Sequence, residues 1–396
     1  MVQLSQRAAG LKPSATLAVS AKAKQLKAQG IDVVSFGAGE PDFGTPKHIV
    51  EAAKQALDAG ETGYALPASG KEQFKQAIVG KFKNENDLDY TTKQVFVSYG
   101  GKTCLYFAFQ TLIDPGDEVI IPKPYWVSYP AQAELAGGKS VFVDTDEANN
   151  FIMTPEQLEA AITDKTKILV LNSPSNPGGF TYSTEGIKAL ADVLVDKDII
   201  VFSDEIYDRL LYGDTTFTSF AATRPEMMEK TLTFNALSKT FAMTGWRIGY
   251  VAGPENIITA MGKLQSQAAS APAGFVQTAA AAALTGDQQC VEDMRTEFEK
   301  RANHMWKRLN DLPGVSCIKP TGAFYCFANI GKWFGKELAG QKIEGSLDFA
   351  NVVLENAHVA VVPGVAFGCD ENVRLSFATS MEQIDKGIDR LAEFLK

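Results

Sequence analysis

Between residues 92 and 253 short, almost unbroken apolar runs alternate with segments of helical pattern, and that alternation admits few folds. The runs are Gln94 to Ser98 (QVFVS), Glu118 to Ile121, Ser140 to Val143, Lys167 to Leu171 (KILVL), Ile199 to Ser203 (IIVFS), Thr231 to Phe234 and Arg247 to Ala252. They lack the in-out alternation of a half-exposed sheet, which is what strands covered on both faces require. The expected class is α/β: a large domain with a mostly parallel seven-stranded sheet flanked by helices. Two helix starts are marked by caps, Thr154 before Pro155 with Gln157 three residues on, and Thr184 before Glu185.

After Gly253 the pattern changes to two long helical stretches, Pro254 to Leu284 and Asp287 to Asp311. Short strands then follow at Ala323 to Ala328, Val359 to Val362 and Val373 to Ala378, with a closing helix from Met381 to Phe394. The run Ile31 to Phe36 adds a strand from the chain start, so a smaller α+β domain is expected to form from both chain ends. A length of 396 residues exceeds what one core supports. The expected ranges are an N-terminal arm over 1–12, a small domain over 13–45 and 286–396, and a large domain over 46–285.

Charge narrows the partners. Lys and Arg number 38 against 47 Asp and Glu, a net charge of -9 that repels nucleic-acid backbones and anionic membrane surfaces. The apolar stretch Ala268 to Leu284 is broken by Pro272, Gly274 and Gln277, so a buried helix is expected there rather than a membrane span. The N-terminus reads as an arm followed by an Ala/Lys helix, without an export signal. Five cysteines without CxxC spacing fit reduced thiols of a cytoplasmic chain. His48, His304 and His358 show no spacing for a metal site or a serine triad.

Open α/β sheets bind ligands beyond the carboxyl ends of their strands, so the polar residues that follow each apolar run are candidates. After QVFVS comes Tyr99-Gly100-Gly101-Lys102-Thr103 and a helix, a glycine turn whose free N–H groups suit a phosphate. A Walker A loop would need glycine where Phe96 stands, and a dinucleotide fingerprint from Gly37-Ala38-Gly39 would need glycine where Asp42 stands. After IIVFS comes Asp204-Glu205-Ile206-Tyr207, which reads as a site carboxylate with a phenol or as a helix cap. After TLTFN comes a stretch with Lys239, eight residues before Arg247. Pro124-Tyr125-Trp126 and the Asn172-to-Gly179 run follow two further strands. Amine, carboxylate, phenol, glycine turn and arginine together meet the needs of pyridoxal phosphate: an amine for the aldehyde, a carboxylate for the ring nitrogen, and donors for the phosphate.

The motifs AGEPDF, GGK, DPGDEV, YWVSYP, NSPSNPGG, SDEIY, SKTFAMTGWRIGY and VRLSFATS, in that order, cover essentially the whole chain. In them the chain resembles the fold type I, class I pyridoxal-phosphate aminotransferases, and most closely the bacterial aspartate aminotransferases. The resemblance implies that Lys239 carries pyridoxal 5′-phosphate and serves as the base, that Asp204 pairs with its ring nitrogen, and that Tyr207 and Asn176 bond the ring oxygen. It places Trp126 against the ring, Gly101, Lys102 and Arg247 at the phosphate, and Tyr64 at the phosphate of a neighbouring subunit, hence a homodimer with shared sites. Arg374 and the backbone at Gly39 would take the substrate α-carboxylate, and Lys102 with Lys12 a distal one. Two departures stand out: NPGG at 176–179 where many relatives read NPTG, and Ala236 where some have a phosphate-binding serine.

The implied reaction is transfer of the amino group of L-aspartate to 2-oxoglutarate through pyridoxamine phosphate, with prephenate as a further acceptor. The same fold and lysine also serve β-lyases, aminotransferases for other amino acids, and non-catalytic cofactor-binding regulators.

Overall fold

The computed structural model describes residues 2–10 and 15–396. A two-residue strand, β1 (Val34–Ser35), precedes the large sheet. That sheet is built from β2 (Val95–Ser98), β3 (Glu118–Pro122), β4 (Lys139–Val143), β5 (Thr166–Asn172), β6 (Ile200–Asp204), β7 (Thr231–Ala236) and β8 (Gly249–Ala252). All seven correspond to the apolar runs of the sequence. Every residue of β2, β7 and β8 is buried, as strands covered on both faces must be.

The lateral order is β2-β8-β7-β6-β5-β3-β4. Neighbours from β7 to β4 are parallel, whereas β8 runs antiparallel to both β7 and β2. Six strands therefore end at one edge of the sheet, and β8 begins there. A residue just before β8 consequently joins the residues that follow the other strands.

The later strands are β9 (Ser316–Cys317), β10 (Tyr325–Asn329), the hairpin β11 (Glu337–Leu338) and β12 (Gln341–Lys342), β13 (Val359–Ala360), β14 (Val362–Pro363) and β15 (Asn372–Ser376). A second, antiparallel sheet has the order β14-β15-β10-β9. The apolar run expected as one strand over Val359 to Val362 serves two sheets. Its first half pairs with β1, Val34 opposite Val359, and its second half pairs with β15.

The expected helix from Pro254 to Leu284 is two helices, Glu255–Ala268 and Gly274–Thr285. Pro272 cannot donate to a continuing helix, and Ser270 turns the chain with a φ of 58°. Thr154 caps its helix as expected, accepting from Gln157 N at 3.3 Å while Gln157 Oε1 accepts from Thr154 N at 2.9 Å. At the next helix the cap is Ser183 rather than Thr184, its hydroxyl accepting from Gly186 N at 3.0 Å. The Met381–Phe394 helix matches its expected bounds and buries Ile384, Ile388 and Leu391 along one face.

Ion pairs tie the start of the chain to its end. Arg390 and Lys386 on the last helix both reach Asp32, at 2.6 Å each. Arg301 holds both oxygens of Asp42, at 2.8 and 2.9 Å, with its guanidinium over the rings of Phe43 and Phe298. These contacts hold the segment that carries Gly37 and Gly39. Among the described residues, no helix is long and apolar enough to cross a membrane.

Candidate active site

A cavity of about 310 Å³ opens where the strand ends of the large sheet meet the second sheet. Of the residues singled out in the sequence, Gly39, Gly101, Lys102, Trp126, Asn176, Asp204, Tyr207, Lys239 and Arg374 all line it. The lateral strand order sets their sequence across it: the glycine turn follows β2, Lys239 follows β7, Asp204 ends β6, Asn176 follows β5 and Trp126 follows β3.

Asp204 is 7% exposed and is fixed from two sides. Tyr129 Oη donates to its Oδ2 at 2.6 Å, and Ile206 N donates to Oδ1 at 3.3 Å. No helix begins at this point, so the carboxylate is not a helix cap. Burial raises its pKa from 3.8 to about 6, against the lowering effect of the Tyr129 hydrogen bond. No basic side chain forms an ion pair with it among the described residues. The arrangement therefore suits a cation brought in from outside, such as a protonated ring nitrogen.

Lys239 sits in the helical turn that follows β7 and donates to Gly39 O. Burial lowers its pKa to about 8, partly offset by Glu40 and reinforced by Arg374 and Arg247. An amine in that range carries an unprotonated fraction near neutral pH, as a nucleophile or base requires.

The glycine turn begins the Gly101–Leu112 helix, and no side chain caps it. Gly100 has a φ of 94°, and a Cβ there would lie 2.7 Å from Arg247 Nη2. A Cβ on Gly249 would fall 2.4 Å from Gly101 N. Two strands thus bring bare backbone together, leaving N–H groups at a helix start beside a guanidinium, which is an anion site. Arg247 bonds Thr244 O at 2.7 Å and Tyr99 O at 3.3 Å. It stands next to the turn rather than in the cavity wall. Ala236 lies 3.8 Å from a Cβ built on Gly101 and offers no hydroxyl there.

On β15, Arg374 is 5% exposed. Its Nη1 donates to Asn176 Oδ1 at 2.9 Å and its Nη2 to Gly37 O at 3.2 Å, while its Nε has no partner. Tyr325 and Phe367 present their rings to it at 4.5 and 5.1 Å. Among the described residues no carboxylate pairs with it. Burial lowers its pKa. A buried cation without a counter-charge is poised for an anionic ligand. Lys102 lines the same cavity, its Nζ 4.9 Å from the centroid of the Trp126 ring.

Tyr207 is buried and shares a hydrogen bond of 3.1 Å with Tyr325. Tyr64 is 89% exposed and lies outside the cavity wall. Lys12 lies outside the described residues. The sequence reading gave no role to Tyr129, Tyr325 or Phe367, and none to Asn172 beyond its place at the start of the Asn172-to-Gly179 run. Tyr129 follows Trp126 by three residues and Asn172 ends β5, so both had a positional signal. Tyr325 and Phe367 sit in apolar stretches and look like core aromatics.

The buried Asp204, the uncapped glycine turn beside Arg247 and the orphaned Arg374 Nε form a donor set that fits pyridoxal phosphate and a carboxylate substrate. Comparison with known proteins agrees with the motifs. The family model for aminotransferase class I and II matches residues 31–391. The aspartate aminotransferase of Geobacillus stearothermophilus is 48% identical over 395 residues, spanning 100% of this chain and 99% of the relative. The aspartate/prephenate aminotransferase of Nitrosomonas europaea is 46% identical over 397 residues, spanning 100% of each. Among solved structures, the aspartate aminotransferase of Rhizobium meliloti matches with a TM-score of 0.97 at 40% identity, covering 100% of this chain and 99% of that one. That of Thermus thermophilus with maleate matches with a TM-score of 0.94 at 42% identity over 100% of both chains. In motif order, family match and fold alike, the chain belongs to the class I and II aminotransferases.

Proposed function

We propose that the chain holds pyridoxal 5′-phosphate on Lys239 and transfers the amino group of L-aspartate to 2-oxoglutarate. The observation that carries this is that a buried Arg374 without a counter-charge and Lys102 line the same cavity as Lys239, which gives a dicarboxylate two cations to meet. The Thermus thermophilus relative was solved with maleate, a compact dicarboxylate. Prephenate as a further acceptor rests on the Nitrosomonas europaea relative named for it.

The cofactor, when bound, supplies an electron sink that makes the substrate α-hydrogen removable. Asp204, clamped by Tyr129 and Ile206 N, would hold the proton on the ring nitrogen. Gly101, Lys102 and Arg247 would hold the phosphate, and Trp126 would pack against the ring. Tyr207 and Asn176 would bond the ring oxygen. Arg374 grips the α-carboxylate with two parallel hydrogen bonds, beside the backbone at Gly39. Once the substrate amine has displaced it from the cofactor, the Lys239 amine would be free to take the substrate α-proton. Lys12 joins Lys102 at the distal carboxylate in this reading.

Residues 13–45 and 286–396 are proposed to act as one small domain that closes over the large one, carrying Arg374 and Gly39 toward Lys239. Tyr64 and Leu66, 89% and 77% exposed, mark a surface that fits a second copy whose cofactor phosphate Tyr64 reaches. The free cysteines suit the cytoplasm.

The test is an activity matrix of amino donors against oxo acids, prephenate included, with borohydride reduction and peptide mapping of the cofactor. Aspartate with 2-oxoglutarate should turn over fastest, the label should fall on Lys239, and Lys239→Ala should abolish both. A label on another lysine, or turnover without an oxo acid, would defeat the reading.

A further inference from the structure

Beside the site lies a group of buried polar side chains that the steps above leave unused. Strands β6 and β7 stay in register as far as Asp204 opposite Phe234, and Glu205 N still donates to Phe234 O at 2.9 Å. Beyond that point the chains part. One enters the turn with Tyr207 and Asp208, the other the turn with Lys239. Asn235 spans the gap. Its Nδ2 donates to Glu205 O at 3.1 Å and to Asp208 Oδ2 at 3.0 Å, and its Oδ1 accepts from Ala236 N at 2.7 Å. Both amide donors and the acceptor are used, so the side chain has a single fixed orientation.

Asp208 Oδ2 also accepts from Lys81 on the Glu72–Asn86 helix. Lys81 gives a second hydrogen bond to Asn86 Oδ1 at 2.7 Å and stands 3.8 Å from Glu85, which Arg209 engages at 2.7 Å. Lys81, Asp208 and Asn235 are all buried. A buried ion pair adds little net stability, because both charges lose their water; well-packed apolar side chains would hold two strands as firmly. What the charged arrangement adds is direction: each group is usable only in one place.

We infer that Asn235, held by Asp208 and Lys81, is a positioning residue that sets where Lys239 stands relative to Asp204. The inference rests on the proposed roles of those two residues. A base displaced by a fraction of an ångström loses rate without losing substrate affinity.

The experiment uses the cofactor-loaded protein and reads the pH midpoint of its visible absorbance together with kcat and KM. Asn235→Ala changes no charge, so a moved midpoint reports geometry. It should shift the midpoint by about half a pH unit or more, lower kcat by about tenfold and leave KM within about threefold. Lys81→Met should act in the same way, Lys81→Arg should restore most of the loss, and the double variant Lys81→Met/Asn235→Ala should be no worse than either single change. Where Asn235→Ala does not fold, Asn235→Ser carries the same measurement. An unmoved midpoint and an unchanged kcat in variants that merely melt earlier would overturn the inference. A wild-type protein without the absorbance would overturn the cofactor reading itself.

Discussion

At the scale of single residues the site is a matter of water removed from charged groups. Burial is the largest influence on Asp204, Lys239 and Arg374 alike, and in each case it disfavours the charged form. In cofactor-free protein, amine labelling of Lys239 should therefore follow a midpoint near pH 8, below that of an ordinary lysine; a midpoint at the ordinary value would show the amine to be solvated. Asp204→Asn keeps the shape but loses the charge, and electrostatic groups of this kind are worth about 3 kcal/mol, so kcat should fall by about a hundredfold. Glu205 takes hydrogen bonds on Oε1 from Ser203, Ser219 and Phe220 N, yet its Oε2 has no partner, and burial lifts its pKa to about 7. A carboxyl whose pKa rises on folding binds its proton more tightly when folded, so stability falls as pH climbs from its unfolded value of 4.5 toward about 7. Calorimetry should show a melting temperature that declines over that window and a shallower decline in Glu205→Gln. An equal slope would mean that Glu205 is ionised in the folded chain. Lys239 and Asp204 stood out in the sequence because several polar groups converge on the ends of apolar runs, whereas Arg374, the third residue of β15, stood out only through the family resemblance. Tyr325 did not stand out, since a phenol in an apolar strand carries the same pattern whether it packs or points into a site.

At the scale of elements the reversed strand β8 matters most. Running against its neighbours, it delivers Arg247 to the edge where the other strands end, and its first residue, Gly249, lies flat under the glycine turn. Gly249→Ala should push that turn off its place and weaken cofactor retention by about tenfold or more, read by dialysis against dilute pyridoxal phosphate; a side chain 2.4 Å from a backbone nitrogen cannot be absorbed by a rotamer change. Retention at the wild-type level would show that the turn tolerates displacement. The large sheet was readable because doubly covered strands leave continuous apolar runs. The division of Val359 to Pro363 between two sheets was hidden, since an apolar run does not say with whom it pairs. The break after Ala268 was missed although Pro272 lies within the run, and the φ of Ser270 that turns the chain there left no compositional mark.

At the scale of the whole molecule the exposed Tyr64 bears on the proposed dimer. Lys239→Ala and Tyr64→Ala are each expected to impair activity; unfolded and refolded as an equal mixture, they should regain about a quarter of wild-type sites, because half the dimers are mixed and each of those holds one intact site. Activity equal to the average of the two variants would place the whole site within one chain. That the chain ends share a lobe was suggested by the apolar run at 31–36 alone, and the pairing of β1 with β13 bears out that suggestion. The same pairing dictates an order of events at the ribosome. Val34 and Val359 are roughly 325 residues apart, and synthesis at about 5 to 20 residues per second separates them by roughly 16 to 65 s. Strands β2 to β8 are complete long before that gap closes, so the large sheet can form while the first strand is still without its partner. During that interval Val33, Val34 and Phe36, buried in the finished molecule, lie open to solvent and to other chains. The nascent protein thus carries that exposed strand until its end emerges, and truncation anywhere before residue 359 leaves Val34 and Ser35 without their strand partner.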